Sequence, residues 1–105
     1  ISFKMILQTA IEHYGVEIQL NKVQEELGKL ITAISKWRNK DVFLIEVVDE
    51  IVDAEIMIAQ LKLILEKIYE IEISEDIEKR TEYKLERLKQ RIEDDNDKSR
   101  LIQKD

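Results

Sequence analysis

The chain contains no proline and only two glycines, Gly15 and Gly28, in 105 residues. Tight turns and strand connections depend on those two residue types, so few positions can stop a helix. The pattern predicts an all-α fold of a few long helices. The composition suits it, with 38% charged and 44% hydrophobic residues, as amphipathic helices with one dry and one charged face require. The length fits one domain.

The first helix is expected from about Ser2 to Tyr14, with Ser2 as N-cap, Gly15 as its stop, and Phe3, Leu7, Ala10 and Tyr14 on one stripe. The second is expected from Val16 to Arg38, with Leu20, Val23, Leu27, Leu30, Ile34 and Trp37 facing inward, ending at Asn39-Lys40-Asp41. The third, from Val42 to Ile71, sets Val48, Val52 and Ile56 on one face and Glu46, Asp49, Glu50 and Asp53 on the other. Its run from Ile56 to Leu65 is apolar on more than one side, which implies a partner surface and suggests a dimer of helical hairpins. A fourth helix starts near Ser74 with inward Ile77, Thr81, Leu85, Leu88 and Ile92. The expected domain is therefore residues 1–93, an antiparallel bundle of about four helices completed by dimerisation. Residues 94–105, where periodicity stops, are expected to form a loosely held tail.

A net charge of −6 and a pI of about 4.9 disfavour nucleic acid as a partner, since no large basic surface is available. The absence of cysteine excludes disulfides and thiolate metal sites, and a single histidine, His13, argues against zinc. No stretch reads as a signal peptide, and the run from Ile56 to Leu65, interrupted by Gln60 and Lys62, is too short to span a bilayer. A cytoplasmic location is expected.

Carboxylates are abundant, and their placement carries the chemistry. Glu50 and Asp53 are spaced i, i+3, so they share a helix face, with Glu46 and Asp49 one turn earlier. A hairpin turning near residues 39–41 has arms of roughly 20 and 15 Å to Glu26 and Glu50, which brings the two opposite each other. Like charges brought together need a cation between them, and hard carboxylate oxygens suit Mg²⁺. The competing reading of Glu25 and Glu26 is surface ion pairing with Lys22 or Lys29.

The segments Tyr14-Gly15-Val16-Glu17-Ile18-Gln19, Glu25-Glu26-Leu27-Gly28-Lys29-Leu30-Ile31 and Ala33-Ile34-Ser35-Lys36 resemble the opening helices of MazG-like nucleoside triphosphate pyrophosphohydrolases. Asp49-Glu50-Ile51-Val52-Asp53-Ala54-Glu55-Ile56-Met57 resembles that family's Glu-x-x-Asp helix, and Tyr83-Lys84-Leu85-Glu86-Arg87-Leu88 its basic closing helix. The likeness spans about residues 5–92. It implies an all-α homodimer or homotetramer that uses Mg²⁺ to hydrolyse a nucleoside triphosphate to a monophosphate and pyrophosphate. Carried over by position, the metal ligands fall on Glu26, Glu50 and Asp53, and the fourth position of the Glu-x-x-Glu pair is Lys29. An ammonium cannot bind Mg²⁺. Lys29 is therefore expected to act as a tethered cation among the three carboxylates, weakening metal affinity and, at the limit, abolishing catalysis. Glu25, Glu46 and Asp49 are candidates to supply a replacement oxygen.

In this reading Glu25 orients the attacking water as general base. Gln19, Lys36, Arg38, Lys84 and Arg87 are candidate substrate contacts, each with a plain surface residue as the competing reading. Trp37 is read as a half-buried aromatic and His13 as a structural residue. Two other functions compete: a non-catalytic MazG-like helical dimer that binds nucleotide or protein, and an unrelated dimeric bundle serving as an interaction module.

Overall fold

A computed structural model describes residues 2–103. The expected all-α fold is observed: four helices, α1 (Phe3–Tyr14), α2 (Val16–Arg38), α3 (Leu44–Tyr69) and α4 (Ser74–Gln103), with no strand among the described residues. No helix among them is long and apolar enough to cross a membrane. The chain divides into two compact units, Ile1–Ile71 and Glu72–Asp105.

In the first unit Ser2 caps α1 as expected, its Oγ accepting a hydrogen bond from Met5 N at 3.1 Å. Gly15 follows at φ 91°, ψ 156°, a region where a side chain is strained, and its N–H donates to Ile11 O at 2.9 Å. One residue thus closes α1 and lets α2 begin at once. The α2–α3 turn passes through Lys40 at φ 62°. Helix α3 then starts where Glu46 Oε2 accepts from Phe43 N at 2.7 Å, and it stops at Glu70 in the left-handed region. These two caps trim α3 by two residues at each end of the expected Val42–Ile71 span.

Helices α2 and α3 form a hairpin, with α1 packed against both. Leu7, Ile11, Val23, Ala33, Val47, Ala54, Met57 and Ile64 make the core. Helix α3 turns one defined face inward. It runs Val47, Glu50, Ala54, Met57, Gln60, Ile64, whereas Val48 and Val52 point outward at 39% and 46% exposure. The facing line on α2 is Gln19, Val23, Glu26 and Ala33, while Ile34 and Trp37 lie exposed. Carboxylates therefore occupy inward positions on both arms, and apolar side chains are left outside.

In the second unit α4 begins with Glu75 and Asp76 in its first turn, as expected. It continues through residues 94–103, past the last stripe residue Ile92; residues 104 and 105 lie outside the described residues. No described side chain of α4 is buried. Contacts along the helix surface support it instead: Lys79–Glu75 at 3.0 Å, Gln90–Asp94 at 3.2 Å, and the Arg80 and Arg87 guanidiniums 4.8 and 5.8 Å from the Tyr83 ring centre.

Candidate metal centre

Glu26 sits in the middle of the inward line of α2, and Glu50 in that of α3. The hairpin brings them together with Asp53, so that one carboxylate oxygen from each lies within 4.8 Å of the other two. That separation is comparable with the spread of oxygens around a single divalent ion, roughly 4–5 Å across. Glu26 is 6% exposed, Glu50 is partly buried and Asp53 is open to solvent. Glu26 Oε2 and Glu50 Oε2 are buried and have no hydrogen-bond partner among the described residues. A buried carboxylate oxygen left without a donor costs on the order of 1–3 kcal/mol, and a divalent cation would offset that cost. The donor set of three hard oxygens also suits Mg²⁺. The residues fit the ion.

The other oxygen of Glu26 is occupied. Its Oε1 meets Lys22 Nζ at 3.4 Å and Lys29 Nζ at 3.3 Å, and the same two ammoniums reach Glu25 Oε1 at 3.5 and 3.3 Å. Glu26 thus combines ion pairing through Oε1 with a second oxygen, Oε2, that is buried without a partner among the described residues. Lys29 behaves as a tethered cation in part only: its partners are Glu26 and Glu25 on its own helix. Hydrogen bonding to Glu26, then to Glu25, raises its pKa, so it stays an ammonium at neutral pH and has no lone pair for a metal. Glu25 is pushed the other way, chiefly by the hydrogen bond from Lys29 and then by the charge of Lys22. It is held ionised, which suits a proton acceptor and weakens it as a base.

Beside the cluster a groove of about 660 Å³ runs between α2 and the start of α3, lined by Glu25, Gly28, Lys29, Thr32, Ala33, Lys36, Val42, Glu46 and Glu50. On the other side Lys22, Glu26, Asp53, Ile56 and Met57 line a pocket of about 150 Å³. The triad stands between the two, with Glu50 facing the groove and Glu26 and Asp53 the pocket. Of the suggested replacement oxygens, Glu25 and Glu46 line the groove, Glu46 with one oxygen committed to the α3 cap, and Asp49 is exposed outside both.

Lys36 lines the groove, whereas Arg38 is exposed in the last turn of α2 outside it. Lys84 and Arg87 are exposed on α4, in the second unit. Gln19 is buried, donating from Nε2 to Gln60 Oε1 at 2.7 Å, while Gln60 Nε2 contacts Met57 Sδ at 3.6 Å. Sequence reasoning missed this pair; the signal was a glutamine on the inward line of each helix. Gln19→Leu strands the Gln60 carbonyl and should cost roughly 1–3 kcal/mol in urea denaturation. Adding Gln60→Met should recover most of that loss, and no recovery would argue against the pair as a matched buried contact.

Set against known proteins, the chain matches no family model, no curated protein and no solved structure.

Proposed function

We propose that this chain is a divalent-cation-dependent nucleoside triphosphate pyrophosphohydrolase of the MazG-like type, with activity reduced by Lys29. One observation carries the reading: two buried carboxylate oxygens without partners, contributed by facing helices, at the positions the resemblance assigns to metal. Glu26, Glu50 and Asp53 would hold the ion, Mg²⁺ by the hardness of its ligands. Held there, Mg²⁺ would neutralise triphosphate charge and make a coordinated water more acidic. Hydrolysis breaks the bond between the α- and β-phosphates, a water oxygen replacing the departing pyrophosphate. Glu25 would take the water's proton, a role supported by its ionised state and by its lining the same groove as Glu50. Lys36, which lines that groove, would meet phosphate oxygens there. Arg38, Lys84 and Arg87 remain further candidates for substrate contact, and Gln19 acts on the site only through helix packing. A cytoplasmic setting, where Mg²⁺ and nucleoside triphosphates coexist, belongs to the same reading.

A second reading is favoured by the Lys29–Glu26 ion pair: a non-catalytic domain that keeps nucleotide binding. Pyrophosphate release from a panel of NTPs and dNTPs, with Mg²⁺ and with EDTA, separates the two. Mg²⁺-dependent release supports the enzyme. Nucleotide binding without release supports the silent domain, and neither binding nor release contradicts both.

We also propose that the chain works as a homodimer or homotetramer. Ile45, Val48 and Val52 form an outward apolar line on α3, at 62%, 39% and 46% exposure, a surface that a second copy would cover. Sedimentation should show an oligomer that Val48→Lys/Val52→Lys converts to monomer. A monomeric native chain would overturn this.

A further inference from the structure

Lys29 replaces a metal ligand in the family pattern, yet its position gives it a different use. The ammonium stands 3.3 Å from Glu26 Oε1, next to the candidate metal centre, and the residue lines the groove together with Glu50. An ammonium has three donors. Two are directed at Glu25 and Glu26, which leaves the third without a partner among the described residues. Lys36, two turns along the same helix and lining the same groove, makes no ion pair among the described residues. The two stems start on the order of 10 Å apart along the helix axis, close enough for long flexible side chains to meet on one extended anion.

The groove also carries three carboxylates, Glu25, Glu46 and Glu50, against these two ammoniums. The one excess negative charge favours an anion that arrives with a divalent cation over a bare one. We propose that Lys29, assisted by Lys36, is a phosphate-binding residue for a metal-complexed oligophosphate in this groove, an inference that rests on the metal-site reading. The ammonium would contact phosphate oxygens directly, while Glu26, Glu50 and Asp53 hold the cation beside it.

The test uses inorganic pyrophosphate and Mg²⁺ in titration calorimetry with the full chain, alongside Mn²⁺ binding without anion by electron paramagnetic resonance. Pyrophosphate affinity in Mg²⁺ should fall about tenfold in Lys29→Met and be largely retained in Lys29→Arg. Lys22→Met is the control, because Lys22 pairs with the same glutamates but lines the small pocket instead of the groove. It should change pyrophosphate affinity little. Equal losses in the two methionine variants would mean only long-range charge and overturn the inference, as would unchanged affinity in Lys29→Met with Mn²⁺ still bound. If no form of the chain binds Mn²⁺, the metal-site reading fails and this inference fails with it. Parallel titrations with tripolyphosphate and a non-hydrolysable nucleoside triphosphate identify the source of the phosphate chain. Tighter, Lys29-dependent binding of the nucleotide assigns the groove to nucleotides, and equal Lys29-dependent binding of both assigns it to the phosphate chain alone.

Discussion

Glu50→Gln is expected to lower divalent cation affinity by at least about a hundredfold, beyond the 10–100-fold cost of losing an outer-shell partner of a metal ligand. The same substitution should raise the melting temperature in EDTA. Glu50 Oε2 is buried without a partner and lies beside the carboxylates of Glu26 and Asp53, so an amide there relieves both like-charge repulsion and the desolvation of a charge. In excess Mg²⁺ the order should reverse, because only the native triad gains the stabilisation of a bound ion. This crossing of stabilities between EDTA and Mg²⁺, read by thermal denaturation, is specific to a metal centre. A buried acid with a purely structural role would give one order in both buffers.

The second large effect belongs to Lys29→Glu. It removes an ammonium that contacts Glu26 Oε1 at 3.3 Å and adds a carboxylate at the same place on α2. The local charge changes by two, and Glu26 Oε1 keeps only Lys22, at 3.4 Å, as an ammonium partner. Mn²⁺ affinity should rise at least about tenfold, a gain of about 1.4 kcal/mol. Pyrophosphate release from nucleoside triphosphates in Mg²⁺ should rise with it. The loss of an ammonium contact to phosphate would appear separately, as a higher KM beside a higher kcat. Unchanged Mn²⁺ affinity in this variant would show that Lys29 does not restrain the site.

The fold class was legible because chain punctuation is a local property: Ser2 and Gly15 act as the caps their chemistry predicts. Where α3 begins and ends was less legible, since its limits depend on Glu46 folding back to the Phe43 amide and on Glu70 adopting a left-handed conformation. The inward face of α3 was not legible, for a physical reason. Spacing sets Val48, Val52 and Ile56 on one face, but the hairpin turns inward the line through Val47, Glu50 and Met57. In a small unit with much apolar surface left outside, hydrophobicity alone does not choose which face turns in. The grouping of Glu26 with Glu50 and Asp53 followed from helix spacing, hairpin length and the family resemblance together. The split of Glu26 between ammoniums at one oxygen and an open site at the other required side-chain positions. The same holds for the Gln19–Gln60 contact, whose partners are distant in sequence.

A Mn²⁺ titration of the native chain, followed by electron paramagnetic resonance and repeated on Glu50→Gln, tests the metal centre most directly. The triad predicts one saturable site per chain, competed by Mg²⁺ and lost in the substituted protein. Absence of saturable binding, or binding that survives Glu50→Gln unchanged, would contradict it.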